Sequence, residues 1–480
     1  MTLHRRFLLS ACALLASVGV GTVEGGDWSF VPHLSLSEEY TDNVTLAGQN
    51  TLADYITSVN TGLSVRGTSR RLNSNVDYNV EKQIYDSEDD FTALIHQMQG
   101  STALTVVDQL LYFEANSSIS QQVINNQSTF GRTNRSRAGN QVSLLFREYK
   151  PIVRHRFGRW AAFEGSFTTG SRSTIGQAAT SVGSGDDERK FLQLSSGPAL
   201  SVMPVEITFD SSESTFQSGI GNKQERVDAQ ISYIFDRRLR LITRIGNEEN
   251  TSSSGNGDQK GTTWSVGGTW TPSSRTDFSG DYGKRAFGEM FNISARHRHR
   301  RWILSGRYNE DFRTRTQELR DLVLVPLNDA FGNPIFEPTA NPNILNPNNL
   351  ASLNESAFLS KSINIDLAYE GRHTNFSFGF FDTQRTGQAA TIDNTVRGWN
   401  ASVNRSLSRK FSVGLSVNFR ETLTGNILNN EDFLISPSVN YRLGPHSDLN
   451  VSYTYRDGGG PDIDDNYLEN SLTAALTLHY

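Results

Sequence analysis

The stretch from residue 72 to residue 85, LNSNVDYNVEKQIY, decides the fold class of this 480-residue chain. Up to residue 84 its large apolar side chains, among them Val76, Tyr78, Val80 and Ile84, stand at even positions, and Asn, Asp, Glu and Gln fill the odd positions from 73 to 83. A period of two residues places the two sets on opposite faces of a β-strand. The stretch therefore predicts a strand with one apolar face and one polar face.

The same alternation recurs from Trp28 to Tyr480, and no amphipathic helix of three turns or more interrupts it. It marks about 22 segments of roughly 10–14 residues, and the connections between them alternate in length. Short turns are expected near 67–71, 107–109, 150–159, 203–205, 236–238, 272–275, 296–301, 372–374, 408–410 and 444–448. Longer loops rich in Asn, Gly, Ser and Asp are expected between them, for example at 41–54, 122–139, 171–188, 247–261 and 456–466.

Connections that alternate between short and long are typical of an outer-membrane barrel, whereas nothing in a soluble sandwich requires this alternation. A tilted strand of about 9–11 residues crosses a bilayer. The sheet must also close, because an open edge would leave unpaired backbone groups in lipid. The sequence thus predicts an all-β fold: a single transmembrane antiparallel barrel of about 22 strands (roughly 16–22), with short periplasmic turns and long extracellular loops.

The composition agrees with this fold and excludes others. Hydrophobic residues make up only 36% of the chain and the mean hydropathy is −0.46. A barrel explains both values, because every second residue of each strand faces water. With 27 Phe and 20% charged residues the chain is not a disordered polymer. The net charge of −6 gives no general attraction to nucleic acid, and no nucleic-acid partner is predicted.

Residues 1–25 are predicted to be a secretory signal peptide. Arg5 and Arg6 form its charged region, an apolar region extends from Phe7 to Val20, and small residues lead to cleavage near Gly25. A lipoprotein cleavage box at residues 9–12 is the alternative. Residues 26–480 then form the barrel domain, which contains no cysteine, because the chain's single Cys lies at position 12.

Two further features predict the membrane and its orientation. The six Trp lie near predicted strand ends, as interfacial aromatic girdles require. Basic residues concentrate in the short turns and acidic residues in the long loops, so the turns can contact anionic inner-leaflet headgroups while the loops lie outside the cell. The chain is therefore placed in the outer membrane of a Gram-negative bacterium, with outer-membrane lipid as a partner.

The alternation continues to a terminal aromatic residue without trailing residues. This ending resembles the terminal-strand signal that the barrel-assembly machinery of Gram-negative bacteria recognises, and that machinery is a predicted partner during biogenesis. The candidate assembly signal comprises Leu472, Ala474, Leu476, Leu478 and Tyr480.

The motifs of common catalytic sites are missing from the sequence. It has no G-x-S-x-G elbow, no H-E-x-x-H and no phosphate-binding P-loop. No enzyme activity, cofactor or metal is predicted. In the run RHRHRR at 296–301, four arginines would repel a divalent cation from His297 and His299. A calcium site in the acidic loop 456–466 is an alternative, although its spacing is not that of an EF-hand.

If the apolar side chains face lipid, the polar side chains line the lumen. Opposed charges across a pore order water and select solutes by size and charge; local pairing that stabilises the wall is the alternative. No residues remain between the signal peptide and the first strand for a plug domain. The Pro-rich loop 310–356 is long enough to fold inward as a constriction or to cover the surface as a flap. The candidate lumen-lining residues are Arg66, Asp77, Glu81, Arg226, Asp228, Arg240, Arg244, Arg307 and Arg442.

The N-terminal run Trp28–Val44, WSFVPHLSLSEEYTDNV, resembles the first strand and loop of the PEP-CTERM system-associated outer-membrane β-barrel proteins, above all at Pro32 and in the element Tyr40-Thr-Asp-Asn43. The long Pro-containing loop and the aromatic terminus are also similar to that family. The resemblance implies a Gram-negative barrel associated with exosortase and exopolysaccharide systems, with exopolysaccharide export components as partners. It implies no catalytic residues.

Two functional hypotheses follow. The first is a pore or export conduit, linked through the resemblance to exopolysaccharide secretion. The second is a structural or surface-interaction barrel whose acidic loops contact extracellular matrix or partner proteins.

Overall fold

The computed structural model describes residues 26–87, 92–124, 135, 140–175, 184–219, 221–253, 259–314, 317, 357–387, 394–425, 427–460 and 466–479. The predicted signal peptide lies outside the described residues, as do most of the Pro-rich loop and the terminal Tyr480. No described helix is both long and apolar enough to cross a membrane.

Twenty-two β-strands make up almost all of the described chain, together with one short 3-10 helix, Pro198–Leu200. The strands are β1 Asp27–Thr41, β2 Asp54–Thr68, β3 Leu72–Tyr85, β4 Thr92–Val107, β5 Leu111–Val123, β6 Gln141–Phe157, β7 Ala161–Ile175, β8 Gly185–Ser196, β9 Val205–Phe216, β10 Gly221–Ile234, β11 Leu239–Ser252, β12 Gln259–Ser273, β13 Thr276–Arg285, β14 Gly288–His299, β15 Trp302–Thr314, β16 Ala357–Glu370, β17 Thr374–Gly387, β18 Asn394–Ser406, β19 Phe411–Thr424, β20 Ile427–Gly444, β21 Ser447–Gly459 and β22 Tyr467–His479.

The strands form one closed antiparallel barrel. Each strand pairs with its neighbours in sequence, and β1 also pairs with β22, in a register that runs from His33 opposite His479 to Thr41 opposite Ser471. Closure satisfies every strand edge, as lipid requires. The predicted fold class and the predicted strand number are therefore confirmed.

The Asp-Asn element of the first loop fastens the closing seam between β1 and β22. Asp42 accepts hydrogen bonds from the backbone N–H of Asn470 at 2.7 Å and from its side-chain amide at 2.8 Å. Asn43 is fully buried, and its amide donates to the carbonyl oxygens of Ala47 at 2.8 Å and Leu468 at 2.9 Å. Two adjacent polar side chains thus join the first and the last strand of the barrel.

The connections at the predicted periplasmic end have two to eight residues, and local side chains define them. In the turn after β10, the Asp236 carboxylate accepts the backbone N–H groups of Arg238 at 2.7 Å and Leu239 at 2.8 Å. These two bonds hold the pKa of Asp236 below its usual range. In the turn after β18, the Ser408 hydroxyl accepts the N–H of Phe411 at 3.1 Å in the same way.

Several predicted connections are wrong in extent, because strands continue through them. The predicted turn 150–159 belongs largely to β6, which ends at Phe157, and most of 296–301 belongs to β14. The connection between β8 and β9 is longer than the predicted 203–205, since it spans 197–204. β15 continues to Thr314, so the Pro-rich connection begins at 315 and not at 310.

Seven of the 22 strands exceed the predicted 10–14 residues, and the strands range in length from 10 residues in β13 to 18 in β20. They extend into the predicted loops 171–188 and 247–261, and the extracellular connection after β13 has only two residues. Polar alternation continues beyond the bilayer, so the pattern alone does not mark the membrane boundary. Trp264 and Trp399, predicted near strand ends, are consequently the sixth residues of β12 and β18.

The outer face of the barrel is apolar and is bounded by aromatic pairs. Trp302 packs on Tyr369 with ring centroids 4.6 Å apart near the periplasmic turns, and Tyr40 packs on Tyr55 at 5.0 Å near the extracellular loops. Between these levels Leu, Ile, Val and Phe side chains are exposed. Amphipathic rings at two levels around an apolar band are the arrangement of a bilayer-spanning barrel.

Candidate functional site

Each strand presents one row of side chains to the outside of the barrel and one to the inside. On β1, Leu34, Leu36 and Tyr40 belong to an exposed row, and Ser37 and Glu39 belong to a buried row. Since successive side chains point to opposite faces and the apolar row faces lipid, the buried row faces the interior. The inner wall of the barrel is the candidate functional site.

The inner wall is divided at about mid-height. Toward the extracellular strand ends the inward side chains are buried, although most are polar, and toward the periplasmic ends they are exposed. On β11, for example, Glu248 is 0% exposed whereas Arg240 is exposed. We call the exposed inward face of the periplasmic strand halves the vestibule. We use the name charged layer for ten of the buried charged side chains of the extracellular half: Glu39, Glu81, Arg135, Arg172, Asp187, Glu248, Arg285, Arg420, Asp432 and Arg456.

Arg135 enters the charged layer from the connection between β5 and β6. Its guanidinium contacts Glu39 on β1, lies 3.7 Å from Glu81 on β3, and donates to the Ser37 hydroxyl at 2.9 Å. Its backbone carbonyl accepts the Tyr85 hydroxyl at 2.8 Å. Both the backbone and the side chain of Arg135 therefore hold the connection between β5 and β6 against the inner wall, at the position of β2.

A second group of the charged layer joins β11, β13 and β15. Arg285 donates to the two oxygens of Glu248 at 2.6 and 2.9 Å and to Asp311 at 2.6 Å. Asn250 and Gln224 donate to the same Glu248 carboxylate at 3.1 and 3.2 Å. This carboxylate is buried, but it is met by a bidentate guanidinium and two amides, which is what a buried charge requires.

A third group lies on β19 to β22. Arg456 donates to Asp432 at 2.6 Å, and its guanidinium carbon lies 5.2 Å from the centre of the Tyr467 ring. Next to it, Arg420 is fully buried and donates to Asn430 at 3.0 Å. In the extracellular half of this part of the wall, ion pairs and aromatic contacts thus join the strands, without an apolar core.

The fourth group joins β7 to β9. Arg172 forms an ion pair with Asp187 at 2.9 Å, and its guanidinium carbon lies 4.7 Å from the centre of the Phe216 ring. Both charged side chains are almost fully buried. A guanidinium held by a carboxylate and a ring face is fixed in position, so the group adds a rigid part to the charged layer.

The register places all nine candidate lumen-lining residues on inward-facing positions. Glu81 belongs to the charged layer, and at mid-height Arg244 donates to Gln230 at 2.7 Å. The alternative of local pairing holds for Arg226, which forms an ion pair with Asp228. The other inward positions extend along the wall, mostly in the vestibule: Arg66, Asp77, Arg240, Arg307 and Arg442, the last 3.5 Å from Asp448. A role of these residues in passage of a solute stays a prediction.

Sequence reasoning missed most of the charged layer. Strand parity alone could have assigned Glu39 and Glu248 to the inner wall, because each alternates with outward side chains. It could not have found Arg135, which lies in no strand and whose partner Glu39 is 96 residues away in the chain.

The candidate assembly residues lie on the outer face of β22. Leu472 is exposed there and Ala474 is also exposed, opposite Tyr40 and Glu38 of β1 respectively. Leu476 and Leu478 continue this row toward the periplasmic end, and Tyr480 lies outside the described residues. Recognition of this row by assembly machinery stays a prediction.

The metal alternatives find no support in the part of the chain that the structure describes. Within it, no three His, Cys, Asp or Glu side chains are grouped so that they could hold an ion. His297 and His299 stack at 6.4 Å on the outward face of β14, and Thr276 hydrogen-bonds His297 at 2.8 Å. The acidic residues 462–465 of the last loop lie outside the described residues.

Comparison with known proteins gives a fold and no family. No protein-family model and no curated protein matches the sequence. The solved structure of the FrpB iron transporter from Neisseria meningitidis is similar, with a TM-score of 0.53 at 9% identity over 95% of this chain and 83% of that one. A mutant of the ferric enterobactin receptor PfeA from Pseudomonas aeruginosa gives 0.52 at 9% identity, over 94% and 80%. The chain therefore has the barrel fold of Gram-negative outer-membrane receptors.

Proposed function

We propose that this protein is an outer-membrane transport barrel whose lumen is open to the periplasm and closed by the charged layer on the extracellular side. The observation that carries the proposal is the division of the inner wall into an exposed polar periplasmic half and a buried, charged extracellular half. The fold likeness to an iron transporter and a siderophore receptor agrees with a transport role.

The chemistry of the closure favours a conduit over a permanently sealed barrel. Replacing a buried ion pair by well-packed apolar residues is often neutral or stabilising, so a wall that never opens gains little from buried charges. Ion pairs and amides such as those at Glu248 and Arg456 can instead be hydrated when the closure opens. A polar closure thus separates the two sides and still permits a wetted state.

The vestibule suggests a hydroxylated solute. From β17 to β21 its inward positions are mostly neutral and polar apart from Arg442 and Asp448, with Ser377 bonded to Ser402 at 2.6 Å and Ser436 to Thr454 at 3.2 Å. Hydroxyl and amide rows offer donors and acceptors to sugars. Together with the resemblance of the N-terminal run to exopolysaccharide-associated barrels, this supports a role in polysaccharide export with export components as partners.

Planar-bilayer recording of the refolded protein tests the transport proposal. We expect a low conductance in the intact protein and a large one after residues 318–350 are deleted and Arg135 is replaced by Gln. A matched control deletes the same loop but replaces Arg70, which lies at the periplasmic rim. A barrel that folds but conducts in none of these forms would contradict the proposal.

The structural alternative rests on the same closure. If the charged layer never opens, the protein acts through its outer surface, and the acidic loops bind matrix or partner proteins. This hypothesis expects no conductance in any variant, and it expects loss of polymer retention on cells when the acidic loop 461–465 is neutralised. Retention that is unchanged in such cells would count against it.

A further inference from the structure

The basic hairpin formed by β14 and β15 lies at the periplasmic mouth of the vestibule. The run RHRHRR, residues 296–301, covers the end of β14 and the two-residue turn, since His299 pairs with Trp302 across it. All six side chains are exposed. Four of them are arginines, and the hairpin therefore carries four positive charges at one point of the rim.

Successive residues of β14, including those of this run, point alternately to the outer and the inner face of the barrel. Phe291 and Ile293 belong to the exposed apolar row of β14, whereas Ser294 faces inward and bonds Ser279 at 2.7 Å. Arg296 and Arg298 share the parity of Ser294, so both face the vestibule. Arg300 and Arg301 form the tip of the hairpin.

These guanidinium groups are not used by the barrel itself. No carboxylate of the described chain forms an ion pair with Arg296, Arg298, Arg300 or Arg301, even though Asp277 is the cross-strand neighbour of Arg296. The turn after β2 differs, since its Arg70 and Arg71 both lie within 4 Å of Asp108.

The backbone of the turn gives a second, independent observation. Arg300 has a φ of 50°, in the left-handed region that glycine, asparagine and aspartate favour at such turns. A long side chain thus occupies a position where the backbone favours glycine. Residues held in such conformations concentrate at functional sites.

We propose that the mouth of the vestibule is a binding site for the carboxylate or phosphate groups of an anionic polysaccharide, with Arg296 and Arg298 as its inner ligands and Arg300 and Arg301 as its entrance. The inference rests on the proposed function and narrows its substrate class. Guanidinium groups match carboxylates and phosphates through paired hydrogen bonds. Arg240 and Arg307 lie on the next inward row of the same wall, to which β13 and β16 also contribute Asp277 and Asp366.

Equilibrium binding of oligogalacturonate to the full chain in uncharged detergent micelles tests the site without requiring an open pore. We expect binding that weakens as the salt concentration rises. The double variant Arg296→Gln with Arg298→Gln should bind the oligomer about tenfold more weakly, or weaker still. The matched control, Arg70→Gln with Arg71→Gln, removes the same charge from the same rim and leaves binding unchanged. A neutral maltooligosaccharide of equal length binds at least tenfold more weakly.

Three results would overturn the inference: no binding by the folded protein, equal loss in the control variant, or equal binding of the neutral oligosaccharide. Folding of each variant is checked by the shift of the heated against the unheated protein in gel electrophoresis. If the hairpin serves lipid headgroups instead, the double variant loses bound phosphatidylglycerol in native mass spectrometry while oligogalacturonate binding is unchanged. A barrel that binds the oligomer but never conducts would contradict the transport proposal and leave this site standing.

Discussion

Arg135 illustrates how one residue attaches an extracellular connection to the inner wall of the barrel. Its side chain is 5% exposed and is surrounded by Glu39, Glu81 and Ser37, which belong to two strands on either side of β2. Two carboxylates that share one guanidinium depend on it for their charge balance. The extracellular connection after β5 is therefore attached to the wall by electrostatics, and its attachment can be broken by a single substitution.

Replacing Arg135 by Met should destabilise the barrel by about 3–5 kcal/mol, because two buried carboxylates lose their counter-charge. Urea unfolding in lipid vesicles measures the change. Arg70→Met is the control, since Arg70 is 85% exposed and its pair with Asp108 should contribute less than about 1 kcal/mol.

The triple variant Arg135→Met, Glu39→Gln and Glu81→Gln distinguishes the effect of unpaired charge from the effect of lost side-chain packing. If unpaired charge causes the loss, neutralising Glu39 and Glu81 should restore most of the stability. A triple variant that is as unstable as the single one would show instead that Arg135 acts through the shape of its side chain.

At the scale of the elements, the closing seam depends on polar side chains as well as on strand pairing. Asn43→Ala removes two part-buried hydrogen bonds to carbonyl groups of residues 47 and 468 and leaves those carbonyls without this donor. We expect a loss of about 1–3 kcal/mol and faster exchange of the β1 and β22 amides. Asn404→Ala, at an exposed vestibule position, should change neither quantity.

The two faces of a single strand give an internal comparison. Leu415 lies on the lipid face of β19 and Ser416 on its inner face. Leu415→Lys should cost about 2–4 kcal/mol near the bilayer midplane. Ser416→Lys places the same charge in the aqueous vestibule and should cost less than about 1 kcal/mol. Equal costs in vesicle unfolding would contradict the assignment of the two faces.

The elements were predictable from sequence, but their boundaries were not. The period of two in residues 72–85 identifies β3 without any other information, because an alternating pattern fits only a half-buried strand. The same pattern continues above the membrane, where polar strands still pair, so β20 reaches 18 residues. The charged layer needs contacts between residues far apart in sequence, such as Arg135 with Glu39, and no local pattern encodes them.

At the scale of the whole molecule, the barrel is asymmetric along its axis. Its inward side chains are exposed near the periplasm and buried near the cell surface, while its outer face is apolar between two aromatic levels. A uniform water-filled pore would expose both halves of the inner wall, and a sealed apolar core would contain few of these charges. The burial of the inner wall is therefore one-sided.

Single cysteines can measure this asymmetry without background, because the chain's one Cys, at position 12, lies in the predicted signal peptide. Asn440→Cys places a thiol at an exposed inward position of β20, and Thr422→Cys places one at a fully buried inward position of β19. A membrane-impermeant anionic methanethiosulfonate should modify the second thiol at least about tenfold more slowly, the ratio that an opening free energy of about 1.4 kcal/mol produces. Arg135→Gln in the same background should reduce this difference if its ion pairs hold the closure. Equal rates in the parent barrel would show that the lumen is open at both ends and would remove the charged layer from the mechanism.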